Sequence, residues 1–446
     1  MSIVQSLTSA FIDVATYDEL EKYMYGGSEA TAYFVCNHKT ATWFTIIPTQ
    51  LQTSMGQSNS FNSEWSASIS RAGDYLKSVW LRAVVSKVQF NQTSQQLLGR
   101  WTHNLGHNLI KECSITFNDL IAARFDSYYL DFWAAFTVPA SKQVGYNNMI
   151  GNVPELTHGA QNLPSYTLNV PLPFFFTRDT GVGLPTAALP YNEMRINFQV
   201  RDWTELLVVY PNACSPGRPA TTADLLNGTA PTLTSTYVWA EYAIVSNDER
   251  KRMGCAPRDI LVEQVQTAPR TTFKLGEQQG SSTDIRFSHA VKALFFAVRN
   301  TSVASEYSNY TIGNIGTAGQ PLKNVDPLSN ATLLYENTQR LAGLPSDYYS
   351  LVEPWFKAPT IPSATGYHMY SYSLNVYDIN PLGSTNFGKL TNVTLDLASQ
   401  GKTFPADSGK VTADGRTITY TYQTIICALN HNVIRISGGA LGFPVL

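Results

Sequence analysis

At 446 residues the chain exceeds the length over which one hydrophobic core keeps growing, so two domains are expected. Its 31 Lys and Arg against 33 Asp and Glu give a formal net charge of −2 without a basic run, which excludes a coat that neutralises nucleic-acid phosphates directly. Charged residues are only 14% and aromatics reach 12%, a balance that suits strands and self-associating surfaces better than a freely solvated monomer.

The longest apolar stretches span about five residues, far below the ~20 needed to cross a bilayer, so no transmembrane segment is expected. Ser2 to Ala15 lacks the positive start and the cleavage site of a secretory signal, so the chain is expected to be soluble and cytosol-made. In chain order, Thr16 to Met24 is the first predicted element. It is a short helix with Thr16 as cap, Glu19 completing the capping box and Gly26-Gly27 as stop. From Ala30 onward strand signals dominate. Ile115 and Phe117 alternate with Ser114 and Thr116 before an Asn118-Asp119 turn. Leu168 to Val200 joins a proline-bracketed aromatic run to a Gly/Pro loop and then to a half-buried strand. In that strand Met194, Ile196, Phe198 and Val200 alternate with Arg195, Asn197, Gln199 and Arg201. Val238, Ala240, Tyr242 and Ile244 form one face of the next strand.

Asp248 to Lys274 holds ten charged residues in 27, so the DERKRMG and DILVEQVQ runs are predicted as a short helical connector. Strands resume over Asp284 to Val298, with Ile285, Phe287 and Val291 on one face, and again around Tyr420, Tyr422 and Ile426. Two all-β blocks follow, each a sandwich of many short strands, with no sequence repeat between them and Ig-like and jelly-roll topologies both open. Asn212 to Thr236, Ser302 to Asn324 and Leu397 to Arg416 are predicted as surface loops.

No catalytic, cofactor or metal site is expected. Gly383 to Thr391 nearly matches a phosphate-binding loop. Position 390 is Leu, however, and a strand pattern follows where the motif needs a helix N-terminus. His103 and His107 have the spacing of a helix-face zinc pair, but lack a neighbouring Glu and enclose Gly106. The five cysteines, Cys36, Cys113, Cys214, Cys255 and Cys427, are scattered and expected to be free thiols. Six sequons, at Asn91, Asn227, Asn300, Asn309, Asn330 and Asn392, are attributed to composition. Arg71, Asp74, Asp126, Asp131, Arg178 and Asp179 are weighed as inter-strand or inter-subunit ion pairs, with a solvated rim pair favoured for each.

The chain resembles the major capsid proteins of large icosahedral double-stranded DNA viruses, most closely those of iridoviruses. The matching phrases run nearly end to end: Phe11 to Asp13, Glu21 to Gly27, Glu64 to Tyr75, Cys113 to Thr137 and Asn147 to Asn152, then Leu168 to Val200, Asp259 to Gln266, Arg286 to Ala290, Gly383 to Asn392 and Ile436 to Leu446. The resemblance implies an all-β chain of two tandem jelly rolls. The expected division is an N-terminal arm at 1–27, a first jelly roll at 28–247, a charged connector at 248–270 and a second jelly roll at 271–446. It also implies a structural protein rather than an enzyme. Three chains would form a pseudo-hexameric capsomer that tiles an icosahedral shell, assembled in the host cytoplasm. Neighbouring capsomers, minor capsid proteins and an inner viral membrane are the implied partners, the last two through the inward face and the arm. Jelly rolls also serve lectins, so Tyr307 and Tyr310, or Tyr348 and Tyr349, are weighed as sugar-stacking residues of an attachment surface.

Overall fold

The computed structural model describes every residue except 1, 37, 93–96, 212–216, 278, 314–324, 401–407, 410–416, 418 and 444–446. The chain divides into two units, Met1–Trp43 and Phe44–Leu446. In the first, helix Ser2–Ala15 precedes helix Glu19–Tyr25. The earlier helix was not predicted, although Ile3, Val4, Leu7, Phe11 and Val14 carry its spacing; its Ser, Thr and β-branched content is poor in helix formers. The cap also differs from expectation. Asp18, not Thr16, accepts the Glu21 amide at 3.0 Å, and Glu21, not Glu19, reaches back to the Asp18 amide at 3.3 Å. The Thr16 hydroxyl instead donates to the Asp13 carbonyl at 3.1 Å, closing the preceding helix.

The second unit contains two antiparallel sandwiches. In the first, one sheet orders Tyr166–Pro171, Tyr75–Val85, Leu233–Val245 and Phe44–Met55. Phe44–Met55 then crosses over: beyond Leu51 it pairs with Glu64–Ser68, with a bulge between Thr53 and Met55. From there the facing sheet continues through Met194–Val200, Ile110–Phe117 and Leu120–Asp126. In the second sandwich, one sheet orders His368–Ser371, Ala290–Asn300, Tyr422–Ser437 and Arg258–Thr267. Its partner orders Ser281–Asp284, Val393–Ser399, Leu328–Tyr335 and Thr338–Pro345. If these principal strands are counted one to eight along each half, both sandwiches give the order 6-3-8-1 in one sheet and 2-7-4-5 in the other. Each half is a jelly roll, and the repeat not found in the sequence is present in the strand order.

Two predicted elements differ. Asn247–Cys255 is helical as expected, but DILVEQVQ lies in strand Arg258–Thr267. Its charges are cross-strand and interior partners rather than a helix surface. Asp259 pairs with Arg435 on the neighbouring strand at 2.6 Å, and Glu263 is buried. The strand predicted over Asp284 to Val298 is two strands in opposite sheets, joined by a corner at which His289 takes φ +64°. Ile285, Phe287 and Val291 still share one core.

Strand Ala290–Asn300 is buried on both faces. Leu294, Phe296 and Val298 enter the core of the second sandwich, whereas Ala293, Phe295 and Ala297 join the core that continues into the first. Its sheet is therefore an internal layer, which explains the near-continuous apolar run of AVKALFFAV.

Candidate functional site

The most elaborate chemistry of the chain lies where the two sandwiches meet. Strand Leu120–Asp126 runs directly into helix Ser127–Thr137, whose N-terminus is capped by Asp126 accepting the Tyr129 amide at 3.0 Å. Tyr128, Tyr129, Leu130, Phe132 and Phe136 of this helix are buried. Phe132 and Phe136 stack on Phe295 of the second sandwich with ring centroids 6.2 and 5.6 Å apart, and Tyr367 meets Phe132 edge-on. Each fully buried side chain of this size contributes about 1.5–3 kcal/mol.

Charged groups thread the same junction. Arg178 lies 3.8 Å over the Trp133 ring and pairs with Glu263 at 2.9 Å; Glu263 also takes the Lys292 ammonium at 2.6 Å. Burial pulls the Lys292 pKa below its ordinary value, against the opposing attraction of Glu263. Arg100 pairs with Glu306, and Arg299 donates to the Tyr128 hydroxyl at 2.5 Å while covering the Tyr307 ring at 3.9 Å. Asp131 is the centre of a second network. It accepts from Asn104 at 3.1 Å, pairs with the His107 ring at 2.7 Å, and accepts the hydroxyls of Ser308 and, at 3.1 Å, Tyr310. Burial, reinforced by the Asp131 carboxylate, pushes the Tyr310 hydroxyl well above its ordinary pKa. Buried ion pairs add little net stability over apolar replacements. In this junction Arg178–Glu263 and Arg100–Glu306 each join one sandwich to the other.

Much of that network comes from a stretch predicted as a surface loop. Within 301–313, Val303, Ser305, Glu306, Tyr307, Asn309 and Tyr310 are buried. The remainder of the predicted Ser302 to Asn324 loop, 314–324, lies outside the described residues. The sugar-stacking reading is overturned by the same geometry, because Tyr307, Tyr310 and Tyr349 are buried and Tyr348 is half-buried. Sequence reasoning missed Glu263 and Lys292 as partners. Their signal was Lys292 as the one charge inside AVKALFFAV and Glu263 as the one charge inside ILVEQV, since unpaired burial of either is costly.

The six charged residues expected at solvated rims are mostly elsewhere. Asp131 and the side chain of Arg178 are buried as described. Asp126 is a helix cap 4.0 Å from Arg270. Asp74 is buried and pairs with Arg250 at 2.7 Å; burial works to raise its pKa, but Arg250 and the Val245 amide hold it below the usual carboxylate value. Arg71 donates to the carbonyls of Leu189 at 2.9 Å and Asn192 at 2.6 Å. Asp179 is exposed and accepts the Gly181 amide at 3.0 Å.

His103 and His107 do not share a helix face, because Asn104 at φ +48° turns the chain before helix Leu105–Leu109. Both His107 nitrogens are occupied, by Asp131 and by the Tyr146 hydroxyl at 2.7 Å. Among the described residues, no three His, Cys, Asp or Glu side chains gather as metal ligands. In Gly383 to Thr391 the Gly388 amide is taken by the Asn386 side chain at 3.0 Å, and the strand Val393–Ser399 follows. Cys113 and Cys427 are buried, which raises their thiols well above the ordinary value; Cys36 and Cys255 are exposed, and Cys214 lies outside the described residues. Of the sequon asparagines, Asn300 and Asn309 are buried with their side chains hydrogen-bonded.

A family model described as "Major capsid protein N-terminus" matches residues 32–245, and one described as "Large eukaryotic DNA virus major capsid protein" matches residues 249–442. The chain is 54% identical to the "Major capsid protein" of Costelytra zealandica iridescent virus, with 99% of each covered. It is 47% identical to that of Lymphocystis disease virus 1, covering 99% of the chain and 98% of the relative. Among solved structures, "PBCV-1 virus capsid, quasi-atomic model" superposes with a TM-score of 0.75 at 21% identity, over 93% of this chain and all of that one. "Faustovirus major capsid protein" gives 0.70 at 10% identity over 97% of each. These two share the double jelly-roll fold. A junction locking two such sandwiches into one body, with relatives of this identity along its whole length, leads to one assignment: the chain belongs to the iridovirus major capsid proteins.

Proposed function

We propose that three copies of this capsid protein form a capsomer of pseudo-sixfold outline that tiles an icosahedral shell. The observation that carries this reading is the strand order repeated in both halves of one chain, with the halves packed on each other. Three chains of two like bodies supply six wall elements from one gene product. Apolar area removed from water between protomers holds the trimer, and interfaces of this obligate kind bury on the order of 2,000–5,000 Å². Weaker contacts between capsomers allow correction as the shell grows.

Within each chain the division is an arm at 1–27, a first jelly roll at 28–247, a connector shortened from the expected 248–270 to 248–257, and a second jelly roll that opens with strand Arg258–Thr267. Helix Asn247–Cys255 and the limits of the two family matches, 245 and 249, support the central boundary. The arm faces inward, towards minor capsid proteins and an inner membrane, and assembly proceeds in the host cytoplasm. Phe11, Val14, Leu20 and Tyr23 of the arm are exposed apolar residues, which supports a docking role. Light scattering on the purified chain should give about three times 49.3 kDa. A stable monomer at micromolar concentration contradicts the reading.

A further inference from the structure

The second sandwich carries a helix that matches the junction helix in position but not in burial. Strand Thr338–Pro345, the counterpart of Leu120–Asp126, runs directly into a helical segment over 346–357, part π-turn (Tyr348–Val352) and part α-helix (Glu353–Lys357). Both helices open on a Tyr-Tyr pair, Tyr128-Tyr129 and Tyr348-Tyr349, and an aromatic pair follows, beginning four residues on at Phe132-Trp133 and seven on at Trp355-Phe356. In the first helix the apolar side chains are buried against Phe295. In the second, Leu351 is 51% exposed, Trp355 71% and Phe356 74%, with Val352 exposed between them. Their spacing of three and four residues places them on one stripe, an amphipathic face without a partner among the described residues of its own chain.

The receiving surfaces show the same asymmetry. The face of the second sandwich that takes the junction helix, around Phe295 and Ala297, is fully buried. Its counterpart on the first sandwich is the outward face of Tyr75–Val85 and Leu233–Val245. There Trp80 stacks on Trp239 with centroids 6.3 Å apart, both only half-buried, and Tyr237 and Ile46 are exposed. Each sandwich thus offers one helix and one sheet face, and a single chain satisfies only one of the two contacts.

We propose that the 346–357 helix of one chain docks through Leu351, Val352, Trp355 and Phe356 onto the Trp80–Trp239 face of a second copy, repeating between chains the contact that Ser127–Thr137 makes within one. The proposal rests on the trimer reading and names its interface. The contact is head-to-tail, and rotation about a threefold axis closes it into a ring. Glu353 and Lys357 already pair with each other at 2.8 Å, so docking buries neither as a lone charge.

The test uses the full chain carrying Trp355→Ser and Phe356→Ser together. Light scattering at micromolar concentration should fall from three chains to one, with an unchanged far-ultraviolet circular dichroism spectrum. In parallel, a photoreactive benzoylphenylalanine at position 356, in a mixture of isotopically light and heavy chains, should give light-to-heavy cross-links onto 75–85 or 233–245. The cross-link decides the matter should the double variant fail to fold. A double variant that remains trimeric, or cross-links that fall elsewhere on the second copy, overturns this interface while leaving the trimer standing. A wild-type chain that is monomeric overturns the trimer itself and the interface with it.

Discussion

Asp131 shows how a single carboxylate joins the two halves of the chain. Its partners Asn104 and His107 lie 27 and 24 residues before it, and Ser308 and Tyr310 lie 177 and 179 residues after it. Asp131→Ala leaves several donors buried without an acceptor, and should lower the unfolding free energy by about 3–5 kcal/mol. Urea titration at fixed protein concentration measures this, and Asp131→Asn, which keeps a carbonyl acceptor, should cost less. His103 gives a pH signature. Burial first, then the charge of Arg100, pushes its pKa down to about 3 from the ordinary 6.5. Between those values the unfolded chain binds the proton that the folded chain refuses, so stability falls as pH drops from about 6.5 towards 3. His103 keeps some surface exposure, which moderates the effect. His103→Asn should flatten the fall in melting temperature between pH 7 and pH 5, a window above that in which Asp74 and Asp224, both lowered from 3.8, take up protons. An unchanged pH slope contradicts the assignment. The contacts of Asp131 with Ser308 and Tyr310 were not legible in the sequence, because local periodicity carries no record of partners more than a hundred residues away.

Elements were legible where burial is one-sided. Met194–Val200 alternates buried and half-buried residues as its sequence does, because one face meets the core and the other does not. The same logic misled at Arg258–Thr267, where charges that pair within and across the sheet resemble an exposed connector. It misled again at 301–313, whose Ser, Asn and Tyr content signals a loop but whose burial comes from the other sandwich. Light proteolysis should therefore make no early cut between Ser302 and Gly313. Glu306→Ala, which strips buried Arg100 of its carboxylate, should open that stretch to cleavage, as followed by mass spectrometry of the fragments. Early cleavage of this stretch in the unmodified chain contradicts its docking. The six sequons divide on the same basis. Asn300 and Asn309 should remain unmodified in any expression host, since their side-chain amides are buried and bonded, whereas Asn227 and Asn392 are exposed. Glycopeptide mapping after secretion from a eukaryotic cell checks this.

At the scale of the molecule, the strand order repeated in both halves has almost no counterpart in sequence beyond the Tyr-Tyr helices that follow the fifth strand of each half. The two halves share strand order, while side chains on matched faces differ: one face is an internal layer and its counterpart is partly exposed within the chain. The arm belongs to this scale as well. Deleting Ser2 to Tyr25 should leave the trimer mass and melting behaviour nearly intact while closed particles fail to form in co-expressing cells; loss of trimers on deletion would place the arm in the protomer core. The central claim, that three two-sandwich chains make one six-sided unit, is tested most directly by single-particle electron microscopy of the purified protein. Threefold particles with six lobes and a hexagonal outline are expected. Isolated two-lobed particles, or rings with another number of chains, contradict it.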